Sequence, residues 1–394
     1  MIRKVTLSLV FIYSTFTSLK TSAQRIDSTG QIDGRTNTIN TAVPFLRITP
    51  DARSGAMGDV GVALSPDASS IYWNLSKLPF ATTNSNLAVT YTPWLKELVN
   101  DVFLATVSGY TKLNDKEAVS GSLRYFSLGS INFRDVTNQD QGNFHPREFA
   151  VDAGYARKLS EHFSIGMAGR FIYSNLAGGQ VVNDQSVRAG KAFAADLSGF
   201  YTKDYEKDDG RVNKLNLGFA ITNIGTKISY TSSAQNKDFL PTNLGLGAAY
   251  TLAMDEYNQL TFALDINKLL VPTPDTSGNY KNKSVLEGIF SSFGDAPGGL
   301  KEELQELMYS AGVEYWYNQQ FAVRAGYFNE NKYKGNRKYF TAGVGIKYDI
   351  FGLNFSYLVP SGSGIQRNPL SNTLRFTLTF DLGARDREDS RTGW

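Results

Sequence analysis

The chain has 394 residues, 13% of them aromatic and 41% hydrophobic, with 36 glycines, two histidines and no cysteine. Without cysteine there are no disulfides, zinc–thiolate centres or thiol nucleophiles, and two histidines leave little material for histidine catalysis or a metal site. Lysine and arginine number 40 against 37 acidic residues, so there is no polybasic footprint and nucleic acid is not an expected partner.

The chain begins MIRKVTLSLVFIYSTFTSLKTSAQ. Arg3 and Lys4 precede an apolar run from Val5 to Phe16 and a small-residue site at Thr21-Ser22-Ala23, the pattern of an export signal with cleavage after Ala23. Residues 1–23 are read as a signal peptide and 24–41 as a flexible segment. No cysteine follows to carry a lipid, and no later run approaches the ~20 apolar residues of a membrane helix.

Residues Pro50 to Asn74 are too broken by Gly, Pro, Asp and Ser for a strand, yet they carry Ile71, Tyr72 and Trp73. From Asn86 to about residue 383 the dominant signal is alternation with period two. In QLTFALDIN, Leu260, Phe262, Leu264 and Ile266 oppose Thr261, Ala263, Asp265 and Asn267. HFSIGMAGRFIY and TLRFTLTFD alternate in the same way. About fourteen such segments occur, an even number as single-chain outer-membrane barrels have: 86–93, 101–112, 117–128, 147–159, 162–175, 189–202, 213–224, 240–251, 258–268, 308–318, 320–329, 337–347, 350–359 and 371–381. Residues 384–394 form a tail.

The connections alternate between short (NDK, SEH, DEYN, NQQ, YDI) and long (129–146, 176–188, 225–239, 269–307, 360–370). A soluble sandwich has no reason to keep that alternation, and the polar and charged second face of the strands counts against a soluble barrel. A transmembrane antiparallel up-and-down β-barrel has one, with short periplasmic turns and long external loops. Its apolar faces meet outer-membrane lipid. Arg124, Asp152, Arg170, Asp196, Asp265, Glu314, Arg324 and Arg375 occupy the second face, where each would cost about 2–4 kcal/mol if turned to lipid near the midplane. They are therefore expected to line the lumen.

A lumen of about fourteen strands is too wide for wall side chains to fill. The segment 42–85 is thus expected to be an internal hatch. Gly55, Gly58 and Gly61 allow close backbone approach, Asp51, Arg53 and Asp59 can meet lumen charges, and Trp73 and Asn74 end the glycine-rich run. That run, DARSGAMGDVGVALSPDASSIYWNLSKLP, with AVPFLRITPDAR overlapping its start, resembles the N-terminal segment of the PorV/PorQ group, outer-membrane barrels of the Bacteroidetes type IX secretion system. It is also distantly similar to the hatch of FadL-type barrels, in which the run ends Asn-Pro-Ala; here it ends Asn74-Leu75-Ser76-Lys77.

The resemblance implies a barrel that takes up secreted cargo bearing C-terminal signal domains from a Sov/SprA-type translocon barrel. It then passes the cargo to the attachment-complex proteins of the cell surface. A FadL-like transporter of hydrophobic small molecules is the alternative, and an outer-membrane phospholipase a third reading. Protein-binding loops are the expected functional surfaces. In SVLEGIFSSFG, Leu286, Ile289, Phe290 and Phe293 fall at helical spacing, and GGLKEELQELM repeats the pattern. In TPWLKELVND, Trp94, Leu95, Leu98 and Val99 do likewise. Partner contact and self-packing both fit the 269–307 loop, and in TPWLKELVND partner contact and an interfacial belt both fit. His145 and His162 lack a catalytic constellation, DTSGN lacks calcium-loop spacing, and the glycines of AGVGIK sit in a strand pattern. No catalytic, cofactor or metal motif is found.

Overall fold

The computed structural model describes residues 37–95, 99, 101–134, 137–178, 181–182, 185–231, 237–274, 278–360 and 373–383. The expected signal peptide and cleavage site, residues 24–36, Leu98, the Asp275–Ser277 part of DTSGN and the tail lie outside the described residues.

Strands β1 (Ser85–Pro93), β2 (Val102–Asn114), β3 (Glu117–Leu128), β4 (Ile131–Arg134), β5 (Asp140–Phe144) and β6 (Arg147–Lys158) come first. β7 (Phe163–Asn175), β8 (Val181–Val182), β9 (Gln185–Ser186), β10 (Gly190–Glu206), β11 (Val212–Gly225) and β12 (Asn243–Ala253) follow. The last are β13 (Asn258–Leu269), β14 (Met308–Tyr317), β15 (Phe321–Asn329), β16 (Lys338–Tyr348), β17 (Phe351–Pro360) and β18 (Leu374–Leu382). Fourteen of them close into one antiparallel barrel; β4–β5 and β8–β9 are small hairpins inside long connections. Each barrel strand pairs with its neighbour in the barrel order, and β1 meets β18 from Ser85↔Leu382 to Tyr91↔Phe376.

The barrel strands match the fourteen expected segments. β10 runs on to Glu206 because Lys203 to Glu206 still pair with β11. The strand expected from 240 starts at Asn243; Pro241 before it has no N–H to give a ladder. Alternation sets the two faces. Phe193, Met167 and Phe340 point outward and are exposed, whereas Arg124, Arg324 and Arg375 point inward and are buried. A one-residue slip would exchange the faces and set those charges in lipid.

Two classes of connection separate at the two ends of the barrel. Tight turns use left-handed backbone at Asn318, Gln319 and Asp349, the geometry that two-residue hairpins favour. Asp115 lies in the turn between β2 and β3; Gly278 lies in the long connection after β13. An epitope inserted at Gly278 should bind antibody on intact cells, and one beside Asp115 only after permeabilisation. The opposite labelling would invert this orientation.

Candidate functional site

Residues 43–81 pack against the inward face of the closed sheet. Phe45, Leu46 and Ile48 bury with Val102, Leu104, Phe126, Ile172 and Leu240 at the long-loop end. Ile71, Leu75 and Leu78 bury with Tyr110, Ala118 and Ala156 at the short-turn end. Between them the backbone bonds to distant parts of the wall. Ala52 N–H donates to Thr377 Oγ1 at 2.9 Å and Gly58 N–H to Thr341 Oγ1 at 2.8 Å. The Gly61 and Val62 N–H groups donate to Asp265 at 2.7 and 2.9 Å. Asn74 Nδ2 donates to Gly199 O at 3.1 Å, and the Ser164 hydroxyl donates to Ser76 O.

The local turns explain the composition of the segment. Asp51 caps the helical turn Ala52–Gly55 by accepting from Ser54 N–H at 2.7 Å, and it accepts from Trp73 Nε1 at 2.9 Å. Asn74 caps Leu75–Phe80 and ties it back to Val62 O at 3.0 Å. Gly58 sits at φ 73° with its α-carbon against the Tyr327 backbone, where a side chain has neither the conformation nor the room. Gly55 lies on the Arg375 side chain and Gly61 under the Trp73 indole.

Arg53 joins segment to wall. Its guanidinium donates to Asp67 at 3.1 Å and to both oxygens of Glu314, at 2.9 and 2.7 Å. Arg324 Nε takes the same Glu314 carboxylate at 2.6 Å and Nη1 reaches Asn354 at 2.9 Å. One buried carboxylate thus serves two guanidiniums, one from each structural part. A second chain lies within the wall. Arg124 meets Asp152 at 3.4 Å, Asp152 accepts from Arg170 Nε, and Arg170 meets Asp196 at 2.8 Å. Asp59 accepts from the Tyr339 hydroxyl and lies 3.8 Å from Arg375. All eight charged wall residues singled out from the sequence are buried.

The short-turn end opens into a cavity of ≈ 850 Å³. Its walls mix charged groups, among them Asp51, Arg53, Asp67, His162, Lys214, Glu314 and Lys347, with apolar ones, among them Phe80, Ala88, Phe200, Val212, Trp316 and Ile346. His145 lies in the connection after β5.

The outer connection forms two helices, Val285–Ser291 and Leu300–Gln305. Leu286 (63%), Phe290 (75%), Phe293 (53%), Leu300 (71%) and Leu304 (56%) are exposed, and Ile289 is half-buried. Beneath them Glu303 and Glu306 bond to Lys268 at 3.0 and 2.6 Å, and Glu302 and Glu306 bond to Lys334 at 2.7 and 3.0 Å. The acidic face of the second helix is therefore buried and its leucines face out. This cluster was not foreseen; its lysines come from β13 and from the connection after β15. Trp94 and Leu95 are half-buried, Trp94 against the Phe45 cluster. Within the segment expected up to residue 41, Asn37 Nδ2 donates to Glu302 at 3.1 Å, and at the start of the next, Ala42 N–H donates to Phe239 O at 3.0 Å.

The family model described as "Type IX secretion system protein PorV" matches residues 31–276. The chain belongs to the PorV family. Closed barrel and PorV membership together place it in the outer membrane. No curated protein matches the chain. Among solved structures, the Ralstonia pickettii toluene transporter TbuX is 9% identical with a TM-score of 0.48, covering 85% of this chain and 98% of that one. The Pseudomonas putida toluene transporter TodX is 10% identical with a TM-score of 0.47, covering 86% and 99%. A Pseudomonas aeruginosa FadL homologue is 10% identical with a TM-score of 0.42, covering 85% and 98%.

Proposed function

We propose that this PorV-family barrel binds secreted cargo carrying C-terminal signal domains, receives it from a Sov/SprA-type translocon barrel, and shuttles it to surface attachment-complex proteins. Family membership carries the reading. Support for a protein-binding role comes from the outer helices, whose leucines and phenylalanines face outward over a buried ionic base. Residues 42–85 act as a hatch, with Asp51, Arg53, Asp59, Trp73 and Asn74 seating it and Gly55, Gly58 and Gly61 permitting the fit.

The outer helices hold the partner surface, with Leu286, Phe290 and Phe293 at its centre and Ile289 beneath. Leu286→Asp with Phe290→Asp sets two unpaired charges into such a contact, each costing about 1–3 kcal/mol or more when desolvated. Neither residue takes part in strand pairing. Secretion of signal-bearing cargo should fall at least tenfold while the variant reaches the outer membrane at the wild-type level. Normal secretion would remove this surface from the proposal. A loss of hydrophobic-ligand uptake with secretion intact would favour the FadL-like transporter instead, a reading that the charged groups lining the large cavity count against.

A further inference from the structure

Toward the long-loop end, the N-terminal segment and the wall enclose a second cavity of ≈ 100 Å³. That is room for a small ion and a few waters, not for an acyl chain. Arg47 from the segment and Arg337 from the connection before β16 both line it. Arg337 holds the Glu330 carboxylate through Nε at 2.8 Å and Nη2 at 3.1 Å. Arg47 reaches that carboxylate only at 3.9 Å and sets Nη2 on the Met308 sulfur at 3.1 Å, with Arg337 Nη2 3.7 Å from the same sulfur. Two guanidiniums therefore flank one thioether and share one carboxylate.

The other charges that line the cavity, Arg170 and Asp59, each have an ion-pair partner. Arg170 and Arg124 face Asp152 and Asp196, and Asp59 faces Arg375. Arg47 and Arg337 share the one Glu330 carboxylate, so that trio carries a net positive charge. Arg47 and Arg337 are both half-buried at the cavity. The Ser310 hydroxyl also lines this cavity, buried and without a hydrogen-bond partner. Two guanidiniums that share one carboxylate keep a net positive charge beside the cavity, which an anion held by charge-assisted hydrogen bonds would offset. We propose that the cavity binds one halide-sized monovalent anion, held by Arg47 and Arg337.

Crystals of the purified full-length barrel soaked in bromide should give an anomalous peak in ion-pair contact with the Arg47 guanidinium, and Arg47→Gln should lose it. In detergent, the unfolding midpoint of the wild type should be higher in sodium chloride than in sodium gluconate of equal ionic strength. Arg47→Gln should show no such difference. If that variant does not fold, Ser310→Ala should lower bromide occupancy at unchanged yield. A cavity without bromide, or equal chloride dependence in wild type and Arg47→Gln, overturns the proposal. So does binding of formate in place of bromide, which would make the cavity a carboxylate site.

Discussion

Glu314→Gln should turn a closed barrel into an ion-conducting one. Glu314 is buried and accepts from Arg53 on the N-terminal segment and Arg324 on β15. Glutamine keeps the shape but removes the charge, and its amide presents donors where the guanidiniums already donate. Buried Arg324 would then face half-buried Arg53, which keeps Asp67, with no counter-charge between the two guanidiniums. Losing one partner of a buried pair costs about 3–5 kcal/mol, and relief comes most readily by moving Arg53, because Arg324 is fixed in a strand. The turn Ala52–Gly55 should lift from β17 and β18. In planar bilayers the variant should conduct where the wild type does not, and its denaturant midpoint should fall. Wild-type conductance in a folded Glu314→Gln barrel would show that this ion pair does not hold the segment in place.

Gly326→Val should dislodge the same segment by shape alone. A Cβ on Gly326 would lie 2.0 Å from the Met57 carbonyl carbon and 2.1 Å from Gly58 N. Both are backbone atoms, so no flexible side-chain end can swing away. Gly58 is already in left-handed backbone, which limits how the segment can bend around the new group. Overpacking costs about 1–3 kcal/mol where a core can adjust, and more here because backbone meets backbone. Strand pairing of Gly326 with Gly312 and Thr341 should survive. The chain has no native cysteine, so Ser69→Cys gives a single reporter at a buried position. It should resist a membrane-impermeant maleimide in the wild-type background and react in Gly326→Val. Equal protection in both would mean that the segment is seated without this contact.

The barrel was legible because lipid imposes a strict rule: charges on one face, apolar groups on the other, with period two. That is why Arg170 and Asp265 could be assigned to the inner face from their neighbours alone. The partners of those charges were not legible. Arg53 and Glu314 are 261 positions apart, and nothing local in DARSG selects one of the wall carboxylates over another. The outer helices show a different limit. The spacing of Leu300 and Leu304 marks a helix, but which face turns inward depends on Lys268 and Lys334, contributed from elsewhere in the chain. The β4–β5 and β8–β9 hairpins are too short to stand out from their connections by alternation.

The path of the N-terminal segment constrains the order of assembly. Phe45 lies at one rim, Leu78 near the other, and the chain then enters β1 directly. Bonds run from the segment to β7, β10, β13, β16 and β18. Such a segment is encircled only when β1 zips to β18. If the seam closed first, a stretch bearing Arg53, Asp59 and Trp73 would have to thread a rim already narrowed by the Phe45 cluster and the outer helices. Seating before closure is therefore the expected order, with the seven-pair seam from Ser85 to Tyr91 formed last. A chain that zips early is caught as an unfilled ring, with Glu314, Arg324 and Asp265 left facing water.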